Sequence, residues 1–428
     1  MGGRSRARPT LAPWLGLALM GLGAWGGHAQ AASWPGRWTM MGGGPARNAV
    51  FGSGGGVSWT FRAGGPIIGP ASVVDGVVYF GTNAGRVDAV NALTGRQLWS
   101  VRTGNMVMSA PVVVGNWVFV GEGNNQMKST TARLWVRGVG ANGVYALNRR
   151  TGKVEWFRST AGEDMGGMAY SHHRLYVADG SHWLYALSPA TGKVIWRVDD
   201  GGVDSMSSLA VHRGVVYVVT GGPAEPSLKA FSAASGHEVW TSTGHGNSDN
   251  SPTVADGFAY EENAVQFKDH GRWWFQDVIE AVQGGHIVWS LPTGTGPLPP
   301  EDGRHTLIYA CLLPFATPPV TVHGKVVYAG SASSGKVYAL DAATGKLLWK
   351  THVGSTDVNP VVVGTTVVTT TKSGRIVALS AKSGRILGSL KLGGHFGPAY
   401  PTVVDGTLYV GNANGNLYAR PVAAIARG

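Results

Sequence analysis

From residue 57 onward the chain alternates short apolar runs with tight polar turns. Val112-Val113-Val114 and Trp117-Val118-Phe119-Val120, for example, meet at Gly115-Asn116. Short runs rich in β-branched and aromatic residues, bounded by Gly, Asn and Asp, predict strands joined as hairpins. A longer pattern lies over this one. Ala89-Val90-Asn91-Ala92-Leu93-Thr94-Gly95 leads to Trp99, and the same Ala-x-Asn/Asp-x-x-Thr-Gly-x-x-x-Trp spacing runs from Ala146 to Trp156, Ala186 to Trp196, Ala230 to Trp240 and Ala339 to Trp349. A shortened copy runs from Ala281 to Trp289, and another, from Ala378 to Gly388, has lost its Trp. Ala419 and Trp59 are halves of one more copy at opposite ends of the chain.

Each copy predicts two strands around a turn: Val144-Tyr145-Ala146-Leu147 runs out, Arg150-Thr151-Gly152-Lys153 turns, and Val154-Glu155-Trp156-Phe157 returns. Gly supplies the left-handed turn position. The Trp is a large apolar body suited to docking between neighbouring sheets. Two further strands lie between copies, so a unit holds four strands in about 40–45 residues, which is the size of a propeller blade. The pattern therefore predicts an all-β, eight-bladed β-propeller of four-stranded antiparallel blades. Three C-terminal strands, near 401–404, 407–411 and 416–420, lack a partner that residues 57–62 with Trp59 would supply. That pairing closes the ring and leaves no open edge.

Composition agrees with a turn-rich all-β chain: 66 Gly, and only 14% charged residues, in 428. Residues 1–31 read as a secretory signal, with Arg4, Arg6 and Arg8 before an apolar stretch and Ala29-Gln30-Ala31 at the cleavage point. The expected layout is signal 1–31, N-terminal extension 32–56, propeller 57–422 and tail 423–428. The mature protein is expected in the periplasm or outside the cell, and it is not expected to be lipidated, because no Cys lies near Ala31. Cys311 is the only cysteine. One Cys excludes an internal disulfide and paired-cysteine metal sites. Loss of the signal lowers the net charge of +11 by three. A basic, acid-poor chain suits low pH, where few carboxylates need protonate, and favours a small anionic substrate. No Lys/Arg run suggests nucleic-acid binding.

The Ala-x-Asp-x-x-Thr-Gly-x-x-x-Trp copies resemble those of the pyrroloquinoline-quinone (PQQ)-like propeller superfamily, over about residues 57–422. The resemblance implies the fold more sharply than the function, since the motif is a docking device. Three branches follow from it. Quinoprotein dehydrogenases carry a vicinal disulfide beside PQQ, which a chain with Cys311 alone cannot form, so PQQ is not favoured and no cofactor is expected. The scaffold lipoprotein of outer-membrane barrel assembly is lipidated at a Cys absent here; this branch implies a non-enzymatic role with an outer-membrane protein partner. Tetrathionate hydrolases of acidophiles are exported and acid-adapted. Gly121-Glu122-Gly123-Asn124-Asn125, Val136-Arg137-Gly138 and Gly162-Glu163-Asp164-Met165 are similar to that group's early blades. The leading expectation is a hydrolase acting on a small sulfur-compound anion.

In a four-stranded meander, the links between strands two and three share a face with the links between blades. Three long insertions fall there: 121–143, 261–276 and 293–317. Long loops gathered at one end of a rigid scaffold are where function sits. The inter-blade links on that face bring Asp164, Asp204, Asp249 and Asp357 to comparable positions, an expected ring of acids around the channel. Mutual repulsion would raise some of their pKa values, as general acid-base work requires. Asp249 is the expected catalytic carboxylate, with Asp164, Asp204 and Asp357 as further candidates. His245 and His395, with Asn250 and Asn359, are expected to bind the anion. Met106, Met108, Met165, Met168 and Met206 gather on the same links. With the histidines they could hold copper(I), but adaptable packing is the simpler reading, and no metal site is predicted. His172-His173 reads as an exposed turn on the other face. Trp273-Trp274 fits a lid, a homodimer contact or loop packing.

Overall fold

The computed structural model describes residues 40–44, 50–51, 56–129, 135–203, 207–221, 227–243, 251–297, 319–356, 358–397 and 400–427. The expected signal and its cleavage point near Ala31, together with Cys311, Met206, Asp204, Asp249, Asp357, His245 and Asn250, lie outside these residues.

Eight sheets form the ring, each built on four antiparallel strands. The first strand of each blade neighbours the first strand of the next, from Ser72–Val74 round to Thr402–Val404 and back, so these strands surround the axis. Hydroxyls tie them together. Ser72 donates to Pro111 O at 2.5 Å, Thr321 to Pro360 O at 2.6 Å and Thr402 to Ala71 O at 2.7 Å, each crossing to the adjacent blade. The fourth strand is outermost and carries the Trp.

The repeat works as its spacing predicts. In every copy that keeps its Trp, the Ala faces it across the third and fourth strands, as at Ala89–Trp99 and Ala339–Trp349. The Asn or Asp organises the turn: Asn91 Oδ1 accepts the amide N–H groups of Leu93 and Thr94 at 3.0 and 2.9 Å. Each Trp then lies on the turn of the following blade. Trp349 Nε1 donates to Ala381 O at 3.0 Å, and a Cβ on Gly384 would come within 2.5 Å of the indole. Gly384 also has φ +69°, so this position excludes a side chain on two grounds.

Closure is as expected. Trp59–Arg62 pairs antiparallel with Asn416–Pro421, and Trp59 faces Ala419. Trp59 Nε1 reaches Ala92 O of the first blade at 2.8 Å. The missing Trp of blade seven has a structural reason. Blade eight is made from the chain ends, so it offers no Thr-Gly turn for that Trp to cover. The short helix Val422–Ile425 packs there instead, against strands Arg375–Ser380 and Ile386–Lys391, with Val422 and Ile425 buried.

Two features differ from the expected layout. Residues 261–276 are not a loop. They continue strands Phe258–Asp269 and Arg272–Gln283 into a long hairpin, and the third insertion begins as an extension of strand His286–Pro297. Polar Glu261, Glu262, Asn263 and Lys268 hide the strand alternation in the sequence. The other feature concerns the extension before residue 57. Val50–Phe51 pairs in parallel with Val361–Val363 on its axial side, as a fifth, innermost strand of blade seven. Met40 is buried beside Val112 and Phe119.

Trp349→Ala is expected to destabilise the fold by roughly 2–4 kcal/mol. Gly384→Ala, on the other side of the same contact, should lower the thermal midpoint in the same direction. Thermal melts of the two variants and the double variant would show less than additive losses if both act through this contact.

Candidate functional site

The face opposite the Thr-Gly turns carries a cluster of buried acids at blades two and three and exposed basic residues at blades six and seven. The acidic side is built by the first insertion. Residues 121–143 fold a small hairpin, Met127–Ser129 against Trp135–Arg137, that leans on blade three. Arg137 N donates to Gly180 O, Glu163 N to Arg137 O and Gly180 N to Glu163 O, each at 2.8 Å. Gly121 and Gly123 let the two blades touch. A Cβ on Gly121 would fall 1.8 Å from Asp164 O, and one on Gly123 would fall 2.3 Å from the Glu163 Cβ.

This contact buries Glu122, Glu163, Asp164 and Asp179 almost completely, together with Arg137. Glu122 Oε2 accepts Asn105 N–H at 2.8 Å, and Tyr145 OH approaches Oε1 at 3.4 Å. Asp179 accepts from Ser181 N and Oγ at 2.9 and 2.7 Å and from Tyr185 OH at 3.2 Å. Thr160 Oγ1 donates to Asp164 Oδ2, and Asp164 Oδ1 has no hydrogen-bond partner. Burial holds the Asp164 carboxyl well above the usual range, and Asp179, Glu163 and Glu122 push it further up. Burial also raises Glu122 and Asp179. The same cause raises Asp88 in blade one and Asp277 on the long hairpin.

Chemically, Asp164 is a neutral acid at pH values where a surface Asp is ionised. At 1% exposure it is sealed beneath the face rather than lining an open mouth. It can store a proton but does not meet solvent. The sequence places it among channel acids; the structure surrounds it instead with Glu122, Glu163 and Asp179. Asp179 was missed, because in sequence Asp179-Gly180 is only a turn signal.

On the basic side, His395 is exposed, and its Nδ1 lies 3.1 Å from Lys372 O, which fixes Nδ1 as the protonated nitrogen in that contact. His352, Arg375 and Ser389 line a cleft of about 240 Å³ between blades six and seven. Asn359 is buried beside Thr321, 2.7 Å from its Oγ1, and joins two inner strands. Met168 lies in a hydrophobic cluster with Val112 and Phe119, as packing predicts. His172 and His173 are exposed at their turn, with φ of 48° and 59°. Among the described residues no group of three or more His, Cys, Asp or Glu is placed to hold a metal ion. Cys311 has no cysteine partner, and the chain's own Val50–Phe51 strand lies on the axial side of blade seven.

Blades, repeat and closure define an eight-bladed PQQ-like propeller. The sequence profile of the family described as Outer membrane protein assembly factor BamB matches residues 46–140, 140–272 and 276–424, and the chain belongs to this family. It is 29% identical over 387 residues to the tetrathionate hydrolase of Acidithiobacillus ferrooxidans, covering 85% of this chain and 74% of that one. It is 31% identical over 299 residues to the assembly factor BamB of Salmonella typhimurium, covering 68% of this chain and 57% of the relative's length. Among solved structures, the quinohemoprotein alcohol dehydrogenase of Comamonas testosteroni superposes with a TM-score of 0.66 at 16% identity, over 91% of this chain and 81% of that one, a likeness of fold. Among the described residues no helix is long and apolar enough to cross a membrane.

The raised carboxyls fix the sign of the pH dependence. A group whose pKa is higher folded than unfolded keeps its proton in the folded chain, so its contribution to stability is full below the ordinary carboxylate value. It is lost as pH rises from there toward the raised folded value. Denaturant midpoints should therefore fall from acid toward neutral pH. Asp164→Asn should flatten that fall and be more stable than the parent at neutral pH. An unchanged slope would show that Asp164 is not the group responsible.

Proposed function

We propose that this protein is an exported hydrolase that cleaves a small sulfur-compound anion of the tetrathionate type in acid. The observation that carries this reading is the similarity to the Acidithiobacillus ferrooxidans tetrathionate hydrolase along 85% of the chain. Two properties support it. The buried, protonated carboxyls favour the folded state at low pH, where such a hydrolase would work. The exposed His352, Arg375 and His395 on the loop-bearing face offer an anion positive partners.

In this proposal a carboxylate, Asp249 by its place in the sequence, activates water or relays a proton: water oxygen bonds to sulfur, its proton passes to the carboxylate, and the sulfur–sulfur bond breaks with its electron pair leaving on the departing sulfur anion. His245 and His395 hold the anion, with Asn250 beside them. Asp204 and Asp357 are the reserve carboxylates. Asp164 acts behind the face as a proton store, and Asn359 as a tie between inner strands. No cofactor or metal takes part.

A second reading rests on the family profile, whose description is that of an assembly factor. There the same face grips an outer-membrane protein, without turnover. Purified mature protein incubated with tetrathionate, from neutral pH down to about pH 3, separates the two. The hydrolase reading expects loss of tetrathionate in acid, and a drop of about a hundredfold or more in Asp249→Asn. Absence of turnover at every pH, with co-purification of an outer-membrane complex, would establish the scaffold instead. Full activity in Asp249→Asn would remove that residue from the mechanism.

A further inference from the structure

The tip of the blade-five hairpin has no part in the proposed hydrolysis. Its strands Phe258–Asp269 and Arg272–Gln283 are 12 residues long, where the matching strands Val326–Ser331 and Lys336–Asp341 of the next blade have 6. The excess carries the tip about 20 Å beyond the neighbouring blades. Burial ends along the way: Ala264 is fully buried, whereas Phe267 and Trp273 are 38% and 36% exposed.

Register decides what the tip offers. Phe267 faces Trp274 and Lys268 faces Trp273 across the two strands. Residues directly opposite share a face, and successive residues alternate. Phe267 and Trp274 therefore lie on one side of the ribbon and Trp273 on the other. A flat partner protein could cover only one of these sides. A medium that surrounds the tip covers both. Each Trp also carries a cation: the Lys268 ammonium lies 5.6 Å from the Trp273 ring and the Arg272 guanidinium 5.8 Å from the Trp274 ring. Apolar bodies with cationic heads drawn along them suit the boundary between hydrocarbon and headgroups. The net charge of +11, less the three arginines of residues 1–31, leaves the mature chain at +8, which complements an anionic surface.

We infer that this hairpin tip inserts into the interface of an anionic lipid surface and docks the propeller there by its loop-bearing face. The inference does not depend on the hydrolase reading, because turnover of tetrathionate in free solution is indifferent to it. Flotation of the full mature protein with vesicles tests it, using phosphatidylglycerol mixed with phosphatidylcholine in one arm and phosphatidylcholine alone in the other. The protein is expected to float with the first and not with the second. Trp273→Ser with Trp274→Ser, and separately Lys268→Glu with Arg272→Glu, should each weaken binding about tenfold or more, with circular dichroism unchanged. Three results would overturn it: no flotation with anionic vesicles, undiminished flotation of the double tryptophan variant, or a homodimer in sedimentation that the tryptophan variant splits.

Discussion

An indole ring lies flat on a glycine α-carbon and donates its N–H to a carbonyl of the same turn. This contact, repeated from Trp59 on the turn of Gly95 round to Trp349 on the turn of Gly384, couples each blade to the next. It asks for a Trp on an outer strand and a left-handed glycine on the neighbouring turn, whose amides Asn91, Asn148 and Asp341 hold in place in their copies. The Ala opposite each Trp is a further requirement, because a larger residue there would push the ring off its seat. Blade seven is the informative exception. Where no turn exists to receive a ring, the chain has Gly388 and a short C-terminal helix.

Because the scaffold is held at its outer strands and on its turn face, the other face is free to be irregular. That is where two blades are pressed together by the hairpin of residues 121–143. The press has an electrostatic result. Four carboxyls and one guanidinium lose their water together, and burial beside three other acids holds the Asp164 carboxyl well above its ordinary range. The sequence suggests acid tolerance through scarcity of carboxylates. The structure adds a sharper cause: the buried carboxyls themselves make the folded state the better proton acceptor.

The repeat made the fold legible. Ala–Trp spacing marks register, turn and outer strand in one motif, and even the split pair of Ala419 and Trp59 is found by it. The site was less legible for a physical reason. Burial of Glu122, Glu163 and Asp179 comes from contacts between blades, and no local pattern distinguishes a buried turn Asp from a solvated one. The long hairpin was hidden differently. Glu261, Glu262 and Asn263 are buried polar residues in a strand, so the alternation that identifies a strand is absent just where the strand is longest.

The join between Trp59–Arg62 and Asn416–Pro421 also has a kinetic meaning. A chain made from its N-terminus delivers Trp59 first and its partner Ala419 last. Until the last blade arrives, the Trp59 strand lacks the backbone partner that Asn416–Pro421 supplies, although its ring can already rest on the Gly95 turn of the first blade. The other blades can each form from contiguous sequence, so they need not wait. Ring closure is then the slowest contact to make, since it joins residues separated by almost the whole chain. The interval before it forms is when the molecule is most open to pairing with another copy of itself.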